Sequence, residues 1–435
     1  MAADFETPIK YEPYWWEAAP RPNLPIPKLP ERTDVAVVGS GYAGLACALR
    51  LARGGRSVLV FDAEAAGWGA SSRNQGQIGA IFKRSFKQLD DRYGRAKTLV
   101  IYREGQRGVA FVKNLIHTEG IECHLEENGR LVLAYTPEDY DALGRELDVL
   151  RREIDFKAHM VPRAAQRGEI GTDFYHGAQV RHADAAIHGG LFHQGLLERA
   201  MAAGATISPH TPVVAIRREG AGFDIGTPRG RVVATEVVIA TNGYTGPATP
   251  ALRRRLLPMG AYTIVTDPLP EETVRRLNPN RRVCNDTRKL LFGIRTAPAE
   301  PRLIFGGRAS LTETDPAKTV PVLRRTMTEV FPELEDVGIS HAWAGFLAFT
   351  FRHLPSIGIR DGLHYALGCS GTGVAANTWL GDRVAARILG AKDTETAFDD
   401  IPFDTRPFYN GNPWFLPAAM WWYRYRDATA HRPVA

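Results

Sequence analysis

The sequence predicts an α/β protein, α+β overall, in which a discontinuous nucleotide-binding domain is joined to a β-rich second domain. Three stretches predict it. Residues 33–78 read as strand, glycine-rich turn, helix and strand. A buried apolar strand runs into Ala240-Thr241-Asn242-Gly243. A glycine-rich turn at 368–373 opens a helix. The long segments between them alternate apolar and polar residues without a nucleotide signal, so the first domain is interrupted and the second is built from what interrupts it.

The first stretch opens with Val35-Ala36-Val37-Val38, an apolar run suited to a parallel strand buried on both faces. Gly39-Ser40-Gly41-Tyr42-Ala43-Gly44 follows, then residues 46–53 at helical spacing and a second strand, 57–61, ending at Asp62. Gly39 permits the tight turn, Gly41 lets backbone approach a pyrophosphate, and Gly44 lets helix and strand pack closely. A pyrophosphate at the helix start meets free N–H groups and the positive end of the helix dipole. Asp62, about 20 residues on, is placed to accept hydrogen bonds from a ribose. The unit is Rossmann-like, and Gly39, Gly41, Tyr42, Ala43, Gly44, Asp62 and Ala63 are its expected ligand contacts.

Residues 67–78 (Gly-Trp-Gly-Ala-Ser-Ser-Arg-Asn-Gln-Gly-Gln-Ile) are small, polar and too patterned for a linker. Here the chain resembles the D-amino-acid-oxidase-like group of FAD-dependent amine oxidoreductases. It is nearest the gamma-glutamylputrescine oxidase branch, whose members carry a G-A-S-G-R-N-G-G-Q-I type segment, and it also resembles glycine and sarcosine oxidases. The resemblance implies FAD as cofactor. It implies contacts from Gly69, Ala70, Ser71, Ser72, Arg73, Asn74, Gln75, Gly76 and Ile78, where the family segment wraps the flavin and reaches its ring. It also implies Val213 beside the adenine and Ala240, Thr241 and Asn242 on the segment that returns against the dinucleotide. A third matching region is Trp343-x-Gly345, then 354–358, then Gly368-Cys369-Ser370-Gly371-Thr372-Gly373-Val374. It implies Gly345, Gly371, Thr372, Gly373 and Val374 at the flavin. A turn of this kind at a helix start can stabilise the negative charge of reduced flavin. Many relatives have His at the place of Thr372 and Asp or Asn at that of Arg352, which leaves the substrate open.

At 435 residues the chain has room for two or three domains. A net charge of +6 with arginine spread throughout points to an anionic cofactor or substrate rather than nucleic acid. Cys47, Cys123, Cys284 and Cys369 are scattered, without metal-ligand spacing, so reduced thiols in a cytosol and no metal are expected. No signal peptide or membrane span is expected either. Oligomeric state stays open.

In chain order, residues 1–30 are an extended proline-rich arm pinned by Tyr14-Trp15-Trp16. The FAD-binding domain takes 31–90, 180–250 and 340–392, the substrate domain takes 91–179 and 251–339, and 393–435 form an aromatic tail. Within these, helices are expected over 95–117, 137–152, 193–203, 321–331 and 373–389. Strands are expected at 121–125, 131–134, 205–208, 212–216, 223–227, 231–234 and 236–239, and in the region 256–308. The tail is expected to pack on the body or at an oligomer interface.

The expected chemistry is oxidation of a C–N bond in a small amine or N-substituted amino acid, with a carboxylate-bearing substrate held by arginine among Arg288, Arg295, Arg308 and Arg352. Arg352, His353, Gln77 and Tyr262 are the substrate-face candidates, and O2 is the expected acceptor. The alternatives are a dehydrogenase that passes electrons elsewhere and a non-catalytic flavoprotein subunit.

Overall fold

In the strand Arg32–Val38 the last four residues are apolar on both faces because they lie mid-sheet, parallel to Gly230–Ile239 on one side and to Val58–Phe61 on the other. Thr206–Ser208 extends the parallel sheet beyond Val58–Phe61. Leu363–Leu367 extends it beyond Gly230–Ile239, and Ser356–Arg360 closes that edge antiparallel. The computed structural model describes residues 8–80 and 82–430. Among these, Gly222–Thr227 and Ala215–Glu219 form an antiparallel flap on Gly230–Ile239.

Two helices lie side by side on this sheet, Tyr42–Arg53 and Gly373–Ile388. Gly381 makes the approach possible, since a Cβ there would sit 2.1 Å from the Ala43 carbonyl oxygen. Arg50 and Asp382 pair across the contact at 2.7 Å. Gly44 does the same toward the strand, where a Cβ would meet Gly39 O at 1.9 Å.

The second sheet runs Ile339–Thr350, Leu256–Thr266, Leu303–Gly307, Phe292–Thr296, Val283–Asp286, Arg130–Leu133, Ala178–Arg181 and Ala158–Val161. Its apolar face packs on the helix Val320–Val330 through Leu323, Met327 and Val330. A short ribbon of Gln77–Ile78 against Ala185–Ala186 stands between the two bodies.

Several expectations are redrawn. The arm carries a helical turn, Trp15–Ala18, and its Trp15 is fully buried. Residues 121–125 form no strand; only an isolated bridge, Glu126 to Ala186, stands nearby. The strand expected from 212 begins at Ala215, because Pro212 has no N–H to give a ladder. The two segments 231–234 and 236–239 are one strand, paired on both edges. Ile339–Thr350 pairs with Leu256–Thr266 along almost its whole length, so residues from 339 to 350 lie in the second sheet rather than the first. Helix Arg95–Glu119 packs on the nucleotide-type body, where Phe111 meets Trp379 and Trp379 Nε1 donates to Glu104 at 2.7 Å. Hydrophobic periodicity finds a helix without saying which sheet receives its apolar face. In the tail, Leu416 and Met420 of helix Leu416–Ala430 reach the second core, while Trp414, Trp421, Trp422 and Tyr425 stay exposed.

Candidate active site

A cavity of about 1240 Å3 runs between the two bodies. Small-molecule sites usually occupy roughly 300–1,000 Å3, so it has room for more than one small ligand. At one end its wall is largely backbone. Gly39 takes a positive φ of 104°, and a Cβ there would meet the Ala240 carbonyl oxygen at 3.0 Å. Helix Tyr42–Arg53 starts from Gly41 and helix Gly373–Ile388 from Thr372, neither with a side-chain cap from its own N-cap residue. Ser71 Oγ accepts from Tyr42 N at 3.0 Å, whereas Thr372 Oγ1 turns back to Cys369 O at 2.9 Å. Two helix starts thus face one cavity, each able to take an anion. Asp62 accepts from Ser40 N at 2.9 Å, from Ser40 Oγ, and through its other oxygen from Glu64 N at 3.1 Å. Burial holds its carboxyl above the usual range. Ala63, Val213, Ala240 and Thr241 line the same end.

The three matching stretches meet at this cavity through named bonds. Asn242, at φ 42°, accepts from Gly368 N at 2.9 Å and donates to Cys369 Sγ, fixing the turn before helix Gly373–Ile388. Arg73 Nη1 donates to Ala344 O at 3.2 Å, and its Cβ lies 3.4 Å from where a Cβ on Gly345 would stand. Gly69, Ala70, Ser71, Arg73, Asn74, Gln75, Gly345, Gly371, Thr372, Gly373 and Val374 all line the cavity.

The other end is walled by side chains from the second sheet. Gln77 Oε1 accepts from Arg130 Nη1 at 2.6 Å and its amide donates to Gln75 Oε1 at 3.2 Å. Arg130 also bonds Asn285 Oδ1 and pairs with Asp184 at 2.6 Å, and both members of that ion pair are buried. Tyr262 lines the wall but its hydroxyl is spent on Glu313 O at 2.7 Å. Of the four arginines expected to compete for a carboxylate, Arg288 is paired with Asp286 at 2.5 Å. Arg295 is buried under Gln75 O and Ile187 O, at 2.9 and 2.7 Å. Only Arg308 is buried, lines the cavity and, among the described residues, has no carboxylate within salt-bridge distance. Lys83 joins it: both donate to Lys289 O, Lys83 at 3.1 Å and Arg308 at 3.5 Å. Burial, with Arg308 and Lys289 nearby, pushes the Lys83 ammonium down to about 7.

Six expected contacts lie outside the lining. Gly44 serves the helix–strand contact, and Ile78 is buried in the core of the first body. Ser72 Oγ donates to Gly67 O at 2.6 Å. Gly76, at φ 67°, accepts from Ile187 N at 2.8 Å. Arg352 turns away to pair with Asp404 at 2.7 Å. His353 sits edge-on to Phe349 at φ 58°, and burial among Arg84, Lys83 and Arg308 pushes it down to about 4. Both lie in a tight turn in which His353 N bonds Thr350 O at 3.0 Å, and His353 stands behind the lining residues Lys83, Arg84 and Arg308 rather than on the cavity wall. Arg130, Asn285, Tyr244 and Lys83 also line the cavity, and none of them belongs to the motifs in the sequence. For Arg130 a signal existed, since an arginine heading the apolar run Leu131-Val132-Leu133 is a buried charge in need of a partner.

Residues 34–387 match the family described as "DAO: FAD dependent oxidoreductase". The chain belongs to that family. This FAD-dependent oxidoreductase is 28% identical over 386 residues to the gamma-glutamylputrescine oxidoreductase of Escherichia coli (strain K12), covering 88% of this chain and 89% of that one. It is 28% identical over 391 residues to the glycine oxidase of Geobacillus kaustophilus (strain HTA426), covering 86% and 96%. The crystal structure of glycine oxidase from Geobacillus kaustophilus superposes with a TM-score of 0.74 at 23% identity, over 87% of this flavoprotein and 99% of that chain. Iminodiacetate oxidase from Chelativorans sp. BNC1 shares the fold at a TM-score of 0.64 and 18% identity, over 85% and 97%. No helix among the described residues is long and apolar enough to cross a membrane.

Proposed function

We propose that the chain oxidises the C–N bond of a small amine or N-substituted amino acid, with FAD held non-covalently. The carrying observation is one cavity with two chemically opposite ends: two helix starts that lack a cap from their own N-cap residue, with Asp62, at one, and at the other the cations Arg308 and Lys83, which have no carboxylate within salt-bridge distance among the described residues. In this reading the start of helix Tyr42–Arg53 takes the pyrophosphate and Asp62 the ribose. The turn at Gly371, Thr372 and Gly373 donates backbone N–H groups toward the flavin ring. Relatives named for gamma-glutamylputrescine, glycine and iminodiacetate support an amine as substrate class.

When bound, FAD would supply the hydride acceptor, with O2 as the expected final oxidant and H2O2 as its product; the substrate imine would take up water to give a carbonyl compound and an amine. The chain's part is to hold the substrate carbon in place and its nitrogen unprotonated. Arg308 and Lys83 suit both needs, because a cationic wall anchors a carboxylate and lowers the pKa of a nearby ammonium. Gln77 is held by Arg130 with its amide on Gln75, which leaves it a positioning part of the same wall. A soluble, cytoplasmic enzyme is part of this proposal.

The test is anaerobic mixing of the yellow protein with matched amines, with and without a carboxylate, followed by air. Bleaching and rapid recovery is the expected result. Bleaching with slow recovery means a dehydrogenase, and no bleaching by any amine means a non-catalytic flavoprotein. Acid precipitation should leave the yellow colour in the supernatant; a yellow pellet would point to a covalent link, with Cys369, the thiol that lines the cavity, as the group to examine.

A further inference from the structure

The segment 72–76 is held in an unusual way. Each of its residues accepts a hydrogen bond from a donor distant in sequence. Trp16 Nε1 donates to Ser72 Oγ at 2.9 Å, Trp343 Nε1 to Arg73 O at 2.8 Å and Trp15 Nε1 to Asn74 O at 2.7 Å. Arg295 then takes Gln75 O at 2.9 Å, and Ile187 N takes Gly76 O at 2.8 Å. The Arg73 guanidinium lies between two indole rings, 4.7 Å from Trp16 and 4.4 Å from Trp68. Two of the three indole donors therefore come from the N-terminal arm and one from the second sheet. Trp15 and Trp343 are essentially without solvent exposure, at 0% and 1%, so water cannot replace the bonds they make.

We propose that the arm is a working part of the cofactor site, with Trp15 and Trp16 as positioning residues that set the backbone of Ser72, Arg73 and Asn74 where that loop meets FAD. The reading goes beyond the family's chemistry and rests on the loop being a cofactor contact. Ser71, Arg73, Asn74 and Gln75, all on this loop, line the cavity. A hydrogen-bonded path also leads from the arm to the opposite end of the site. Trp16 bonds Ser72 Oγ, Ser72 bonds Gly67 O, Gly67 N donates to Ser40 Oγ at 3.1 Å, and Ser40 Oγ donates to Asp62. A second link runs from Arg21 to His193 Nδ1 at 3.2 Å, and His193 Nε2 bonds Ser40 O at 2.8 Å. With Arg21 donating to Nδ1, the imidazole is neutral and its Nε2–H is the donor. The arm thus grips both the glycine-rich turn and the flavin-facing loop. An indole is suited to this task, being a large rigid ring with one N–H and no acceptor.

The test compares Trp15→Phe, Trp16→Phe and the double variant with Trp421→Phe, whose ring is exposed in the tail. Phenylalanine keeps the apolar ring and removes the N–H. Apoprotein is titrated with FAD, and the visible circular dichroism and midpoint potential of the bound flavin are recorded. Each lost N–H is expected to raise the FAD dissociation constant about tenfold. The dichroism and potential should shift in the same variants, with Trp421→Phe like the wild type. Wild-type affinity, dichroism and potential in Trp16→Phe would overturn the proposal even if melting temperature fell. Trp16 is only partly buried, so that variant decides the matter should Trp15→Phe fail to fold. Hydrogen exchange on the unmodified chain gives an independent reading. Amides of the arm and of 70–78 should gain protection together on FAD addition, and an arm indifferent to FAD would refute its role. Wild-type apoprotein that bound no FAD at all would instead refute the cofactor reading of the loop.

Discussion

The two ends of the cavity are built on different principles. At the end proposed for the cofactor the lining is largely backbone, with Gly39, Gly41, Gly371 and Gly373 at two helix starts, and it includes the carboxylate of Asp62. At the end proposed for the substrate it is formed by side chains distant in sequence and held by one another, as Arg130 is by Asp184 and Gln77. A backbone site tolerates little change in shape, because an added Cβ strikes another main chain. A side-chain site can change charge and keep its walls. Affinity for the cofactor should therefore answer to glycine geometry, and choice of substrate to which cations remain unpaired.

The largest expected effect tests the first half. Gly44→Val would place a Cβ 1.9 Å from Gly39 O. Strain of about 1–3 kcal/mol or more is expected to lower FAD affinity by up to a hundredfold or more, or to leave only insoluble protein. A soluble variant with wild-type affinity would show that helix and strand can separate without moving the site.

Next comes Arg308→Ala. Loss of a charged hydrogen-bonding partner costs about 1.5–3 kcal/mol, so the apparent affinity for a carboxylate-bearing amine should fall roughly ten- to hundredfold. That for the matched amine without a carboxylate should barely move, and equal losses for both would remove Arg308 as the anchor.

Asp62→Ala sharpens the contrast within the cofactor end. It should cost roughly tenfold in FAD affinity while leaving the spectrum of bound flavin unchanged. A spectral change would mean that Asp62 acts on the ring.

The pH dependence separates the two ends in one experiment. Only an unprotonated amine can give up hydride, so the limiting rate of anaerobic flavin reduction should rise with pH and level off. Lys83 acts oppositely. Its ammonium is depressed to about 7, so it is charged below that pH and neutral above it. Affinity for a carboxylate-bearing substrate should therefore weaken as pH rises through about 7, by a few-fold on the order of one screened charge pair. The bound anion would draw the midpoint upward. Lys83→Met should flatten the affinity profile and leave the rate profile rising; a rate that falls with rising pH counts against amine oxidation itself.

The smallest expected effect belongs to Arg352→Ala. Its guanidinium is held by Asp404 and both side chains are partly exposed, at 20% and 25%. The pair should contribute under about 1 kcal/mol to stability, and steady-state constants should stay within about twofold. A large loss of kcat would return Arg352 to the substrate face.

What the sequence by itself determined is the set of local units whose backbone carries the chemistry. Gly39, Gly41 and Gly44 must be glycine for reasons visible within a few residues, and the strand before them and Asp62 after them fall at fixed separations. Asn242 before Gly243, and Gly371 to Gly373 at a helix start, were legible for the same reason. Tertiary structure alone decided which side chains share a wall. Arg295 and Arg308 look alike in sequence, thirteen positions apart, yet one is spent on Gln75 O and Ile187 O and the other faces the cavity. Arg352 was drawn off by Asp404, a partner some fifty positions later. Lys83 was brought to Arg308 by the common acceptor Lys289 O. A charge's fate depends on the partner that long-range packing delivers, and no local pattern encodes that partner. A glycine's fate depends on its own φ and on the main chain directly around it, which the local sequence does encode.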